Sequence, residues 1–312
     1  MDARTLANRT DRADGPFITV TTRSVTALWG TARRDALSGR GCPLATDTTA
    51  LPHGQERPLT RIRSIATLIV TSAMVACSSS NATGPQLEGR RVLFIGNSLT
   101  YFNDMPLIVR AMAVADGQQP LAPTGVVAPD FSLEDHWNAG DALDAIRQGD
   151  WEYVVLQQGP SSLPENQAHL KMWSERFDPE IRAVGARPAL YMVWPDASRQ
   201  FAFDAVSDAY TAAAESVDGL LFPVGEAWRA AWRRDANAPL YAGDGFHPTA
   251  AASYLAAAVI YEQLYDRTPV GLPASLPMLD GGAITIDTAL ARILQEAAGE
   301  ANAQFARERA AR

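Results

Sequence analysis

Five short apolar runs alternate with segments of helical spacing in the chain after residue 90. The runs lie at residues 92–95, 124–128, 153–156, 189–193 and 220–224. The segments with apolar residues at helical spacing are residues 105–115, 141–148, 167–184, 201–216, 226–233, 250–265 and 286–309. Strands that alternate with helices form a parallel sheet covered on both faces. The sequence therefore predicts an α/β fold with a five-stranded parallel sheet.

The first apolar run ends in a small loop that carries a serine, Gly96-Asn97-Ser98-Leu99-Thr100. Open parallel sheets place their chemistry at the carboxyl ends of the strands, so Ser98 is a candidate nucleophile. A serine hydroxyl is a weak nucleophile unless a neighbouring base takes its proton. The pattern Gly-x-Ser alone is common, and in most proteins that contain it the serine is not catalytic.

A candidate base follows far downstream, in Asp244-Gly245-Phe246-His247-Pro248. Pro248 disfavours helical backbone at His247, so we expect the imidazole in an extended loop just before the next helix. Asp244 can reach the ring from within the same loop, where it fixes the tautomer as in a Ser-His-Asp triad. The alternative is a capping turn without a catalytic role.

These two stretches resemble the first and last sequence blocks of the SGNH/GDSL hydrolase family, with Asn97 where many members have aspartate. The resemblance covers roughly residues 90–267. It implies a three-layer, flavodoxin-like α/β/α fold and hydrolysis of esters, often of acetyl or short acyl groups on sugars or lipids. In the implied mechanism Ser98 attacks the ester, His247 takes its proton and Asp244 holds His247, without a cofactor.

The middle of the chain departs from the family pattern. The family builds an oxyanion hole from a glycine N–H after the second strand and an asparagine side chain after the third. Asp130 stands near the first position and Ser161 at the second. We expect the backbone N–H of Ser98 and groups at Asp130 and Ser161 to bind the oxyanion, with the amide of Gln157 or Gln158 as an alternative donor. These departures indicate a variant subfamily.

Three side chains are weaker candidates for substrate contact. His136 and Trp137 lie in a loop expected after the second strand, and Trp194 follows the fourth strand. Two tryptophans at one rim make a carbohydrate ester a plausible substrate, since an aromatic ring stacks on a sugar face. In the alternative interpretation, Trp137 packs on the core and His136 bonds a backbone carbonyl.

Charge and motif content exclude several other classes of function. Residues 77–312 carry 29 acidic and 17 basic side chains, and an acidic domain repels a phosphate backbone, so we expect no nucleic acid partner. The chain contains no His-x-x-x-His or Cys-x-x-Cys pattern, and we expect no metal site. It contains no Gly-x-Gly-x-x-Gly or phosphate loop, and we expect no nucleotide cofactor.

The segment before the α/β region resembles a bacterial lipoprotein signal. Arg61 and Arg63 precede a short apolar stretch that ends in Met74-Val75-Ala76-Cys77. We expect residues 59–76 to be the signal peptide, Cys77 to carry the lipid and residues 77–89 to be a polar tether. The protein would then sit on a membrane of the bacterial envelope, periplasmic or at the outer surface. The alternative is a buried helix with an incidental cysteine.

The remaining segments flank the predicted hydrolase domain. Residues 1–58 show no sustained periodicity, and we expect them to be disordered or to precede the true translation start. Residues 268–312 form a C-terminal extension that contains a helix. Two alternatives to the predicted esterase stay open: a non-catalytic lipoprotein that binds a glycan in the same cleft, and an acyltransferase in which a sugar replaces water.

Overall fold

The expected parallel sheet is present in the computed structural model, which describes residues 87–310. Its strands are β1 Arg90–Gly96, β2 Leu121–Val127, β3 Tyr153–Leu156, β4 Arg187–Tyr191 and β5 Leu220–Phe222. They lie in the order β2-β1-β3-β4-β5, and every neighbouring pair is parallel. The α/β fold predicted from the alternation of runs is confirmed. The expectations for residues 1–76 and Cys77 fall outside the described residues.

Helices cover both faces of this sheet. They are α1 Ser98–Tyr101, α2 Met105–Ala115, α3 Leu133–Ala139, α4 Asp141–Gln148, α5 Pro164–Ala183, α6 Phe203–Ser216, α7 Val224–Arg234, α8 Ala250–Tyr265 and α9 Thr288–Ala310. The step from β1 to β2 runs opposite to the steps from β2 through β5. Because parallel crossovers are right-handed, α2 lies on one face and α3 to α6 lie on the other. Helix α8 packs against α2 and α9, whereas α5 packs against α4 and α6, which completes three layers.

Strand β2 begins earlier than the sequence pattern predicts, at Leu121 and not at Thr124. Pro123 lies inside the strand and interrupts the apolar run. A proline is tolerated here because β2 is an edge strand, whose backbone has a hydrogen-bonding partner on one side alone. The edge position of β2 therefore explains why this strand can contain a proline.

The expected loop that carries His136 and Trp137 is a helix, α3. Its first turn is closed by a capping box, in which the Ser132 hydroxyl accepts from the Asp135 N–H and the Asp135 carboxylate accepts from the Ser132 N–H. Gly140, with φ of 88°, ends the helix in the left-handed region. The short helix was missed because aspartate takes the place of the glutamate that usually marks this motif.

The C-terminal segment adds a hairpin and the long helix α9. The hairpin pairs β6 Ser275–Pro277 with β7 Ala283–Thr285 and was not predicted. Helix α9 packs against α7 and α8. Helix α8 is apolar on all sides because α2, α7 and α9 surround it, and its run 251–261 is buried throughout. Within residues 87–310, no helix is both long enough and apolar enough to cross a bilayer.

Two side chains on α5 test whether this helix packs on the sheet as described. Leu170 is fully buried and Met172 is half-exposed. We expect Leu170→Ala to lower the free energy of unfolding by about 2–5 kcal/mol, because it leaves a cavity in the core. Met172→Ala should change it by about 0.5 kcal/mol or less. Urea unfolding at 25 °C measures both values, and equal effects would contradict the packing of α5.

Candidate active site

A continuous line of hydrogen bonds joins Ser98, His247 and Asp244 at the carboxyl edge of the sheet. The distance from His247 Nε2 to Ser98 Oγ is 2.9 Å, and that from His247 Nδ1 to Asp244 Oδ2 is 2.5 Å. A carboxylate can only accept, so the proton on the imidazole lies at Nδ1. Nε2 then carries a lone pair directed at the serine hydroxyl. The structure thus brings together the three residues that the sequence analysis selected.

The position of Ser98 follows from the end of β1. Asn97 caps α1, and its side-chain oxygen accepts the N–H of Leu99, so the turn from strand to helix is tight. Gly96 is required in this turn, because a Cβ there would lie 2.4 Å from Gln157 Oε1 and 2.5 Å from Thr100 Oγ1. Ser98 is therefore presented at the first position of α1, where the backbone N–H groups point away from the helix.

The imidazole of His247 is fixed by its own loop and by one aromatic ring. Asp244 Oδ1 accepts the backbone N–H groups of Phe246 and His247, which closes the loop around the carboxylate. The Phe102 ring stacks on the imidazole with centroids 4.1 Å apart and an interplanar angle of 14°. Phe102 was missed by the sequence analysis, because an aromatic residue four positions after a serine carries no signal for this contact.

The carboxyl group of Asp244 is held in its ionised form. Partial burial acts to raise its pKa, but hydrogen bonds from the His247 ring and from two backbone N–H groups outweigh burial. The pKa of Asp244 is about 2, below its ordinary value of 3.8. The residue therefore presents a negative charge to the imidazole throughout the neutral and mildly acidic range.

Trp194 does not line the rim of the site, which corrects the sequence-based expectation. Its side chain has no exposed surface, and its ring stacks on Trp228 with centroids 3.9 Å apart. The indole N–H donates to the carbonyl oxygen of Phe246 at 2.9 Å. Trp194 thus holds the backbone of the loop that carries His247, and its buried ring cannot contact a substrate.

The side chains of His136 and Trp137 match the packing alternative. His136 is buried, and its Nε2–H donates to the Gly96 carbonyl oxygen at 2.8 Å. Burial also lowers the pKa of His136, so its ring is neutral. The Trp137 ring packs on α5, at centroid distances of 6.0 Å from Trp173 and 5.1 Å from Phe177. His136 therefore supports the end of β1, two residues before Ser98.

The side chains proposed as oxyanion donors are engaged elsewhere. The Gln158 amide donates to Ser161 Oγ and accepts the N–H of Leu133, and the Ser161 hydroxyl donates to the Gly159 carbonyl oxygen. The Gln157 amide likewise bonds the loop after β1 and the backbone of Gln158. The Ser161 hydroxyl and the Gln157 amide thus donate to other parts of the protein, and the identity of the oxyanion donors stays a prediction.

Backbone N–H groups remain available at the same edge of the sheet. Within residues 87–310, the N–H groups of Ser98, Asp130 and Ser161 have no protein acceptor. Asp130 and Ser161 adopt positive φ angles of 60° and 57°, a conformation that non-glycine residues rarely take. These two residues lie in the loops after β2 and β3, the same loops in which the sequence analysis expects oxyanion donors.

A pocket of about 460 Å³ adjoins this site. It lies between the start of α2 and the β6–β7 hairpin, and its lining includes Asn103, Asp104 and Asp280. Asn103 also donates to the carbonyl oxygen of Pro248, next to His247. Burial and the nearby charge of Asp280 raise the pKa of Asp104 to about 6. Among residues 87–310, no cluster of three or more His, Cys, Asp or Glu side chains could hold a metal ion.

Comparisons with known proteins support the fold. Neither the family models nor the curated protein sequences give a match. Among solved structures, a DUF4886 family protein from Bacteroides uniformis is 20% identical with a TM-score of 0.55, over 68% of this chain and 94% of that one. At that identity the likeness establishes the α/β architecture alone.

Two more distant structures are also similar in outline. A lipase/acylhydrolase from Enterococcus faecalis is 16% identical with a TM-score of 0.47, over 57% of this chain and 96% of that one. An acetylxylan esterase from Geobacillus stearothermophilus, crystallised as a catalytic mutant, is 17% identical with a TM-score of 0.42, over 57% of this chain and 96% of that one. The function of this chain must therefore be argued from its own site.

The pKa of Asp244 tests the hydrogen bond to the imidazole. We expect His247→Ala to raise it from about 2 toward the ordinary 3.8, because the carboxylate loses its ring N–H donor. At pH 3.8 the carboxylate stays almost entirely ionised in the wild type, whereas in the variant the protonated fraction rises toward one half. Carbon-13 NMR titration of the carboxyl group measures this shift.

Asp116 is a control for the same titration. The Tyr261 hydroxyl and the Arg267 guanidinium lower its pKa, and neither His247 nor Asp244 is among its partners, so His247→Ala should leave it nearly unchanged. The Asp244 pKa is depressed in the folded protein, so its charge adds stability above pH 3.8 that is lost as the pH falls through about 2. An Asp244 pKa that does not move in His247→Ala would contradict the bond.

Proposed function

We propose that the protein is a serine esterase of the SGNH/GDSL type that cleaves short acyl esters through an acyl-enzyme. The observation that carries this proposal is the line from Ser98 through His247 to Asp244, with the imidazole proton at Nδ1. A serine, an imidazole and a carboxylate in this order are the parts that acyl transfer requires. The resemblance of both sequence blocks to the family supports the same conclusion.

The first half-reaction transfers the acyl group to the serine. Ser98 Oγ attacks the ester carbonyl carbon as its proton passes to His247 Nε2. Asp244 stabilises the imidazolium that forms, because it accepts the Nδ1–H as a carboxylate. The tetrahedral intermediate then collapses, the C–O bond to the alcohol breaks, and the imidazolium returns the proton to the departing oxygen. In the second half-reaction a water molecule attacks the acyl-enzyme carbonyl as its proton passes to His247 Nε2. The bond to Ser98 Oγ then breaks, the imidazolium returns the proton to that oxygen, and the carboxylic acid leaves.

Backbone N–H groups bind the oxyanion in this proposal. The N–H of Ser98 lies at the start of α1, and those of Asp130 and Ser161 are free of protein acceptors within the described residues. One oxyanion donor is worth about 2.7–4 kcal/mol of transition-state stabilisation. Backbone donors cannot be removed by substitution of their side chains, so Ser161→Ala should reduce turnover far less than Ser98→Ala.

Access to the serine favours a small acyl group. Ser98 is 6% exposed, so little of its surface is accessible to a bulky acyl group. An acetyl or similarly short chain therefore suits this site better than a long one. Neither tryptophan identifies a carbohydrate as the alcohol half, because Trp194 is buried and Trp137 packs on α5. Acetylated oligosaccharides tested beside simple aryl acetates therefore identify the alcohol half of the substrate.

Turnover of p-nitrophenyl acetate tests the proposed function. We expect Ser98→Ala and His247→Ala to lower kcat by roughly 10³-fold or more, because each removes a partner that acts in the same step. His169→Ala is the matched control, since His169 pairs with Glu134 and lies outside the line. Equal turnover by the wild type and Ser98→Ala would favour the glycan-binding alternative. Product on an added sugar acceptor would indicate acyl transfer.

We further propose that a lipid on Cys77 tethers the domain to the bacterial envelope. The support is the order of Arg61, Arg63, the apolar stretch, Ala76 and Cys77 in the sequence. In a bacterial host, Cys77→Ser should move the protein from the membrane to the soluble fraction, whereas Cys42→Ser should not. Intact mass should show a lipidated N-terminal cysteine. Abundant peptides from residues 1–58 in the mature protein would reject the anchor.

A further inference from the structure

Gln157 uses the whole hydrogen-bonding capacity of its side chain at the end of β3. Its Oε1 accepts the N–H of Asn97 at 2.8 Å and the hydroxyl of Thr100 at 2.7 Å. Its Nε2 donates to Asn97 Oδ1 at 2.9 Å and to the carbonyl oxygen of Gln158 at 2.6 Å. A glutamine amide offers two donors and two main acceptor positions, and the residue has no exposed surface. All four bonds are therefore made away from solvent.

These bonds join three loops that meet at the candidate active site. Asn97 directly precedes Ser98 in the loop after β1, and Gln158 begins the loop after β3. Asn97 Nδ2 donates to the carbonyl oxygen of Phe131, next to Asp130 in the loop after β2. The two neighbouring amides of Gln157 and Asn97 thus connect the loops that carry the Ser98, Asp130 and Ser161 N–H groups.

Close packing leaves this arrangement little freedom to move. The Gln157 side chain lies against Gly96, where it occupies the space that a Cβ would need. His136 bonds the carbonyl oxygen of Gly96, which ties the same turn to α3. Buried polar groups that are all paired fix a single arrangement, and the loss of one partner leaves others unpaired.

We propose that Gln157 is a positioning residue that sets the geometry of Ser98 relative to His247 and to the backbone oxyanion donors. This inference rests on the proposed esterase function and gives β3 a role in it. Gln157 does not touch the reacting atoms, because its amide is fully bonded to the protein. It acts through Asn97 and Gln158, and a displaced donor weakens the transition state more than substrate binding.

Two substitutions at Gln157 remove the bonds in different ways. Gln157→Met keeps a similar volume and makes no strong hydrogen bond. Gln157→Glu keeps the shape, but it places an oxygen where Nε2 donates to Asn97 Oδ1 and Gln158. We expect Gln157→Met to lower kcat for p-nitrophenyl acetate by about 100-fold with little change in KM, since a displacement of 1 Å can have that effect.

The pH profile of Gln157→Glu separates positioning from a loss of stability. The introduced carboxyl group is buried among oxygen acceptors, which raises its pKa. As the pH falls it becomes protonated and regains one donor. We therefore expect the ratio of variant to wild-type kcat to rise toward acidic pH. A variant that is only less stable would show no such rise at temperatures where it stays folded.

Gln295 supplies a matched control on α9. It is also a buried glutamine, and its amide donates to the Tyr254 hydroxyl and the Leu272 carbonyl oxygen and accepts the N–H of Gly271. We expect Gln295→Met to lower Tm as Gln157→Met does, without a comparable loss of kcat. Peptide hydrogen exchange over residues 92–104 should increase in Gln157→Met and stay unchanged in Gln295→Met.

The outcomes distinguish a failure of the positioning role from a failure of the esterase proposal. A folded Gln157→Met with wild-type kcat overturns the positioning role and leaves the esterase proposal intact. A wild type that hydrolyses no ester in the panel, or no faster than Ser98→Ala, overturns both. If neither Gln157 variant folds, Thr100→Val removes only the hydroxyl bond to Oε1, and a kcat equal to that of the wild type then overturns the positioning role.

Discussion

The imidazole of His247 is held between a hydroxyl and a carboxylate, and the rest of the site is arranged around it. Ser98 and His247 are 149 residues apart in the chain and 2.9 Å apart in space. They meet because Ser98 directly follows β1 and His247 lies just before α8, at the same edge of the sheet. Phe102 stacks on one face of the ring, and Trp194 fixes the backbone behind it. The position of one ring therefore depends on elements from both halves of the domain.

Buried polar side chains beneath Ser98 restrict the movement of the loops that form this site. Gln157 is buried with all of its side-chain hydrogen bonds made, and the buried Asn97 bonds Gln157 and the loop after β2. His136 bonds the carbonyl oxygen of Gly96. In a low-dielectric interior such bonds are strong, and each unpaired partner is unfavourable. Rigid loops suit acyl transfer, because hydrogen-bond donors that are already aligned need no reorganisation as charge develops on the oxyanion. The arrangement connects the packing of the sheet to the proposed chemistry.

The sheet and the three aligned side chains were predictable from the sequence, whereas their surroundings were not. Periodicity predicts β1 and α8, and the Asp-x-x-His-Pro spacing places carboxylate and imidazole in one loop. Trp194 was wrongly expected at the rim of the site. It follows the end of β4, where the alternation of apolar residues stops, and the sequence then does not show whether the side chain faces the solvent or the core. Gln157 was only an alternative oxyanion donor in the sequence-based prediction, since the partners of an amide depend on loops that come together only in the folded chain. Pro123 hid the start of β2 for the same reason, because an edge position is a property of the sheet.

A fluorophosphonate probe tests the central claim most directly. The reagent modifies a serine whose proton is taken by a neighbouring base, and peptide mass spectrometry identifies the modified residue. The account predicts a single adduct on Ser98 that forms quickly in the wild type and is lost in His247→Ala. An adduct on another serine, or labelling of Ser98 at the same rate without the imidazole, would contradict it.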